Sequence, residues 1–238
     1  MMTREEFWQM ADDQKLRDEY AANDDLRWLQ TATMDELREM FLEYRVFTIY
    51  FADDLSLLVA KMPLGRLKSL MAQLVSEELG EGNPEASHIK LLEDFIVSLG
   101  VPPERLTQPT DPENLKLLTK MRDLLLSNPH TYGVALRGMG GECICQVYLL
   151  TLFEQFRRNP FVEANAEQID WRWWDIHAGP ADSEHNSMMK AAVDELMQED
   201  PASVEELAAG YQEAKILLSQ FWNKIYRQVR TNAAQASA

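Results

Sequence analysis

The chain has 238 residues, of which 46% are hydrophobic and 26% are charged. This apolar share is enough to bury a large core, and the 10 glycines and 10 prolines are too few for a collagen-like or low-complexity chain, so those classes and disorder are excluded. The 39 acidic residues outnumber the 23 basic ones, and the net charge of -16 argues against binding to nucleic acid or to an anionic membrane surface.

The N-terminal segment contains acidic residues and no apolar run, so we expect no signal peptide. The longest apolar runs are too short to span a membrane. The two cysteines, Cys143 and Cys145, stand two positions apart, a spacing at which they do not easily pair within a helix. These features predict a location in the reducing cytoplasm.

Apolar residues recur at intervals of three and four, and no alternating run is present, which predicts an all-α fold. Residues 3–30 are polar and predict one or two short helices. Thr33 with Glu36 forms a capping signature that begins a long helix, which continues to about Val59 and ends before Pro63. The next stripe runs over 64–75, and the glycines at 80 and 82 predict a break near Gly80.

Later helices are predicted over 88–99, 112–127, 133–158, 166–199 with an interruption at Gly179–Pro180, and 204–229. Asp111 and Pro112 are typical of an N-cap followed by proline at the first helical position. We therefore predict a single helical domain over 1–238, a seven-helix bundle. Its core covers 33–229, 1–30 is an N-terminal extension or short helices, and 230–238 is a tail.

Ionisable residues fall on these apolar stripes, where an unpaired charge is costly. Glu78 continues one stripe, and Glu85, Glu81 and Glu78 precede His88 by three, seven and ten positions, which place them on one helical face. Taken alone, such a glutamate is ordinarily a rim residue and such a histidine is ordinarily a hydrogen-bonded core residue.

Two further segments repeat the pattern. The apolar stripe of 145–156 leads back to Glu142, and the stripe of 185–196 leads back through His185 to Asp182 and His177. Three of the chain's four histidines therefore stand beside carboxylates on apolar faces. Inward carboxylates and imidazoles from separate helices are typical of a di-iron or di-manganese site, and their coincidence in three segments favours metal binding.

These residues resemble the haem-oxygenase-like di-iron oxidases and oxygenases, which include the chlamydial protein associating with death domains. The segment from Glu78 to His88 is similar to the family's carboxylate–glycine–histidine signature, and Glu142 to its isolated middle-helix carboxylate. The metal ligands that the resemblance implies are Glu78, Glu81, His88, Glu142, His177, Asp182 and His185.

The resemblance further implies a haem-oxygenase-like fold, two Fe(II) ions or alternatively manganese, and dioxygen as co-substrate. It implies that Glu142 bridges the metals between a side with His88 and a side with His177, Asp182 and His185. The choice among Glu78, Glu81 and Glu85 for the first side stays open.

Two departures from the family pattern matter. The family spaces its closing residues His-x3-Asp-x2-His, whereas five positions separate His177 from Asp182. On a regular helix His185 points about 80° away from His177, so we predict a π-type bulge at Gly179–Pro180 that brings them together. One branch of the family makes p-aminobenzoate with a lysine further along the middle helix. Leu152 occupies that position, so we do not expect this activity.

The leading hypothesis is an iron-dependent oxidase or oxygenase that uses dioxygen on a small amino-acid-, amine- or carboxylate-like molecule. Cys145, Trp173 and Tyr148 are its candidate pocket residues, and no catalytic residue is assigned. One alternative is a metal-independent enzyme with a pocket cysteine or histidine, similar to the thiaminase and pyrroloquinoline-quinone synthase relatives. The other is a non-catalytic interaction bundle. We expect no nucleic-acid or membrane partner, and a homodimer stays open.

Overall fold

The computed structural model of the protein describes residues 2–107 and 111–236, without the side chains of 180–183 and 233–236. The predicted all-α fold is confirmed, because the regular structure within these ranges is helical throughout. The α-helices are α1 (Arg4–Met10), α2 (Asp13–Ala21), α3 (Asp24–Trp28), α4 (Met34–Lys61), α5 (Arg66–Glu78), α6 (His88–Ser98), α7 (Pro112–Ser127), α8 (His130–Gly133), α9 (Gln146–Arg157), α10 (Pro160–Ala164), α11 (Arg172–His177), α12 (Pro180–Glu199) and α13 (Ser203–Ala236). Where the sequence predicts one or two short helices over 3–30, the structure has three, and the short helices α8 and α10 add to the seven of the predicted bundle.

The starts of α4 and α7 lie where local sequence signals predict them. The Glu36 backbone N–H donates to the Thr33 hydroxyl at 3.3 Å, and the Thr33 N–H donates to the Glu36 carboxylate at 2.7 Å. The Asp111 carboxylate accepts the Glu113 N–H at 2.7 Å. Each cap satisfies an N–H that the first helical turn leaves unpaired, so it depends only on residues a few positions apart.

The break predicted near Gly80 is confirmed. Helix α5 ends at Glu78, and the chain turns through Gly80 at φ 84°, Glu81 at φ 53° and Gly82 at φ 87° before a short 3-10 turn over Pro84–Ala86. Left-handed backbone favours glycine because it has no Cβ. The turn exposes the Glu81 side chain and places His88 at the first position of α6.

Between α8 and α9 the chain forms a π-helix over Val134–Cys145, where the sequence predicts a regular α-helix. This segment is surrounded by α4, α12 and α13. A Cβ on Gly141 would lie 2.2 Å from the Phe51 ring of α4, so only glycine allows this close approach. π-Helices are rare and often occur at functional sites.

A buried ion pair ties the π-helix to α4. Asp54 is fully buried and Arg137 of the π-helix is 2% exposed, and the Arg137 Nε donates to the Asp54 carboxylate at 2.7 Å. Arg122 of α7 donates to the other carboxylate oxygen at 2.6 Å. The two guanidinium groups together compensate the buried carboxylate.

The π-type bulge predicted at Gly179–Pro180 is wrong. Helix α11 ends at His177 and α12 begins anew at Pro180. Proline has no backbone N–H and suits the first position of a helix, so it begins α12 instead of continuing α11.

In the described part of the chain no helix is long and apolar enough to cross a bilayer.

Candidate metal centre

Three predicted ligands meet at the ends of three helices. Glu78 is the last residue of α5, His88 the first of α6 and His177 the last of α11. The His88 Nδ1 lies 2.9 Å from the Glu78 Oε1, and the His88 and His177 rings are 4.8 Å apart. One ligand atom of each residue lies within 4.8 Å of those of the other two, an arrangement able to hold a metal ion.

A second group lies on the π-helix and α12. The His185 Nδ1 is 3.7 Å from the Glu142 carboxylate. The His185 Nε2 is 2.9 Å from the carboxylate of Glu77, a residue that the sequence analysis does not single out. A metal held between Glu142 and the His185 Nδ1 would leave the Nε2–H beside the Glu77 carboxylate, and a carboxylate partner of this kind is common around metal-binding histidines.

Both groups face one small cavity of about 40 Å³. Glu78, His88, Glu142, His177 and His185 all line it. This space has room for ions and a few water molecules but is far smaller than a cavity for an organic ligand. Two sets of oxygen and nitrogen donors thus line one cavity inside the bundle.

The rest of the cavity wall is mainly apolar and aromatic, with Tyr44, Phe47, Phe51, Leu149 and Ile176 among its residues. Thr48, Cys145 and Gln146 add polar groups to the same wall. Among the described lining residues there is no lysine or arginine. Histidines lie beside both glutamates that line the cavity, His88 beside Glu78 and His185 beside Glu142.

The electrostatics of the first group suit metal binding. Burial lowers the pKa of His177 to about 4, and repulsion from His88 contributes, so this imidazole is neutral at neutral pH. Its Nδ1 lies 2.8 Å from the Trp173 carbonyl oxygen, which only accepts, so Nδ1 carries the proton and Nε2 is left for a metal. Burial acts to raise the pKa of Glu78, but the attraction and hydrogen bond of His88 outweigh it and lower that pKa.

The structure separates the predicted carboxylates. Glu81 and Glu85 lie exposed on the turn before α6, and Glu85 is 3.9 Å from Lys90. Asp182 belongs to α12, but its side chain lies outside the described residues. Of the three glutamates before His88, the structure brings only Glu78 to the cavity.

The candidate pocket residues also take different places. Cys145 lines the cavity, and Trp173 packs behind it with its ring 4.5 Å from that of His177. Tyr148 lies away from it, beside a smaller space of about 10 Å³. The Tyr148 hydroxyl is hydrogen-bonded to the Tyr226 hydroxyl at 2.8 Å.

Glu77 was missed because neighbouring positions on a helix differ by about 100°, so a stripe that includes Glu78 excludes it. Helix α5 contacts both α6 and α12. His88 of α6 meets Glu78, and His185 of α12 meets Glu77. The sequence signal that could have found Glu77 is the pair of adjacent carboxylates, Glu77 and Glu78, at the end of α5.

Residues 38–217, about three quarters of the chain, match the sequence model of a family described as iron-containing redox enzymes. The chain belongs to this family. Its carboxylate and imidazole side chains at the centre are donors that suit iron. Comparison with curated proteins returns no significant match.

Solved structures share the fold at low sequence identity. A protein of unknown function with a haem oxygenase-like fold from Shewanella denitrificans is 14% identical with a TM-score of 0.73, over 95% of this chain and 93% of that chain. A CADD-like protein of unknown function from Nostoc punctiforme is 17% identical with a TM-score of 0.68, over 91% and 96%. A TenA homologue from Pyrococcus furiosus is 14% identical with a TM-score of 0.69, over 94% and 100%. The haem-oxygenase-like fold predicted from the sequence is confirmed.

Proposed function

We propose that this family member is a non-haem di-iron oxidase or oxygenase that uses dioxygen to oxidise a small amino-acid-, amine- or carboxylate-like molecule. The observation that carries the proposal is that two carboxylate–imidazole groups face one buried cavity. Buried carboxylates need cations, and the family description supplies iron as the metal.

Glu78, His88 and His177 would hold one iron, and Glu142 with His185 would hold the second. Glu142 of the π-helix lines the same cavity as the first group, and the family resemblance makes it the residue that would bridge the two metals. Asp182 remains a proposed ligand of the second iron from the family resemblance. When bound, ferrous iron supplies the electrons that reduce dioxygen.

The protein's own side chains orient the donors and exclude water. The Trp173 carbonyl accepts the Nδ1–H of His177 and directs its Nε2 inward, and Glu77 does the corresponding task for His185. The aromatic rings of Tyr44 and Phe47 line the same cavity as the donors. A mainly apolar wall of this kind limits the loss of oxidising power to water.

The substrate must enlarge this space to bind. Phe51 occupies the position that a side chain on residue 141 would take, so its ring closes the cavity against the π-helix. Movement of this ring would open room in the cavity beside Gly141.

Iron binding with a matched pair of variants tests the proposal. Metal-free protein is titrated with ferrous iron without oxygen, and the bound iron is counted. We expect about two irons per chain in the natural protein, a loss of one or both in Glu78→Gln, and no change in Glu81→Gln, whose carboxylate is exposed.

Oxygen uptake by the loaded protein completes the test. Fewer than one iron per chain, or equal losses in the two variants, would overturn the proposal. Turnover by metal-free protein that Cys145→Ala abolishes would instead support the metal-independent alternative.

A further inference from the structure

We propose that a row of aromatic side chains carries oxidising equivalents from the metal centre to the protein surface. The row consists, from inside to outside, of Trp173, Tyr44, Trp222, Tyr226 and Trp28. It rests on the proposed function, because an oxidising metal centre is what generates the equivalents to be carried.

The inner end of the row touches the metal centre. The Trp173 ring is fully buried and its centre lies 4.5 Å from that of His177. The Tyr44 ring lines the cavity and is 6.0 Å from Trp173. An oxidised metal centre would therefore have an easily oxidised ring in direct contact with one of its ligands.

The middle of the row is stacked. The Tyr44 and Trp222 rings are 4.7 Å apart with planes 19° from parallel, and Trp222 and Tyr226 are 5.9 Å apart at 25°. Tyr226 is 5.8 Å from Trp28. Each separation is that of rings in contact, so no step crosses a gap filled by aliphatic side chains.

The outer end reaches the surface. Trp28 is partly buried on α3, and the Arg230 guanidinium lies 4.7 Å over its ring. Asp25 pairs with Arg230 at 2.8 Å and balances its charge. The net charge of -16 also favours a positive charge that arrives at the surface.

The composition of the row distinguishes it from ordinary core packing. Tryptophan and tyrosine lose one electron far more readily than phenylalanine. The neighbouring cluster of Phe41, Phe95 and Phe156 has comparable ring separations of 4.9–5.8 Å but cannot carry an electron vacancy. Tryptophan and tyrosine alternate along the whole row, so the easily oxidised indoles are each linked by one phenol ring.

The proposed transfer is balanced in electrons. One electron moves inward from ring to ring, so the centre gains one electron and Trp28 loses one. A small one-electron reductant such as ascorbate, outside the protein, then restores Trp28. The Trp173 indole N–H has no hydrogen-bond partner among the described atoms, so its proton stays in place, and the phenol rings act as bridges that keep theirs.

The consequence is protection of the centre when no substrate is bound. Oxidising equivalents that would otherwise attack Cys145 or the ligand histidines leave through Trp28. Such damage would fall on side chains that line the cavity.

The test uses ferrous-loaded protein exposed to oxygen without substrate or reductant. Radicals are followed by electron paramagnetic resonance of rapidly frozen samples, and oxidised residues are located by peptide mass spectrometry. We expect an aromatic radical and oxidation of Trp28 in the natural protein. In Trp222→Phe, Trp28 oxidation should fall severalfold while oxidation of Trp173 rises.

Trp8→Phe is the matched control, since Trp8 is also partly buried but its indole N–H donates to Asp194, away from the row. It should behave as the natural protein does. If Trp222→Phe does not fold, Trp28→Phe at the surface replaces it, and oxidation should then shift inward to Trp222 and Trp173.

If the variant that folds is oxidised at the same residues as the natural protein, the proposed transfer along the row is wrong. If the protein binds iron and consumes oxygen but Trp28 is not oxidised, the proposed transfer along the row is wrong and the proposed function still holds. Absence of iron binding overturns the proposed function, and the row falls with it.

Discussion

Replacing Asp54 by asparagine removes a negative charge from the interior while keeping the size of the side chain. Asp54 is fully buried between Arg137, which is 2% exposed, and Arg122. The variant leaves the Arg137 guanidinium without its carboxylate and Arg122 with only Asp53, and an amide nitrogen then faces one of the two guanidinium groups. Breaking a buried pair in this way costs about 3–5 kcal/mol.

For a chain of this length each kcal/mol lowers the melting temperature by about 2–4 °C, so Asp54→Asn should lower it by about 6–20 °C. Scanning calorimetry and urea unfolding of the metal-free protein measure the change. Since Arg137 lies on the π-helix that carries Glu142, iron affinity should fall as well.

Asp53→Asn is the matched control. Asp53 is 63% exposed, and its contact with Arg122 is 3.2 Å long. An exposed pair of this kind contributes about 0–1 kcal/mol. If Asp54→Asn destabilises the protein no more than Asp53→Asn does, the buried pair does not hold the π-helix and the reasoning fails.

Three further predictions concern the metal centre. Glu77→Gln should weaken iron binding at His185 about 10–100-fold, whereas Glu81→Gln should leave the iron affinity unchanged. Competition with a chelator measures both affinities, and equal affinities in the two variants would contradict an orienting role for Glu77. Gly141→Ala places a Cβ 2.2 Å from the Phe51 ring and should lower the free energy of unfolding, measured in urea, by about 1–3 kcal/mol. Adding Phe51→Leu to this variant should restore part of the loss. An unchanged stability of Gly141→Ala would show that the Phe51 ring moves freely. Ferrous iron at about a hundred times its dissociation constant should stabilise the fold by about 2.7 kcal/mol, and an unchanged melting temperature after chelation would oppose a metal bound to the native state.

Local signals in the sequence were sufficient for much of the fold. The starts of α4 at Thr33 and of α7 at Asp111, and the break at Gly80, each follow from hydrogen bonds or backbone angles within one turn of chain. The helical period likewise placed Glu78, Glu142 and His185 on inward faces. These features depend on a repeat that the residues themselves carry.

Other features depend on how helices meet. The π-helix at Val134–Cys145 accommodates α4 and α13 on either side, and nothing in its own period distinguishes it from an α-helix. The assignment of Glu78 to the cavity and Glu81 to solvent required the path of the turn between α5 and α6.

The sequence by itself therefore determined an all-α chain with carboxylates and histidines on buried stripes. Only the tertiary structure decided which of them meet, because residues from α5, α6, α11, α12 and the π-helix converge from distant positions in the chain. It also brought Glu77 to His185 and Arg137 to Asp54. Burial makes such polar contacts obligatory, since an unpaired charge in the core is too costly to persist.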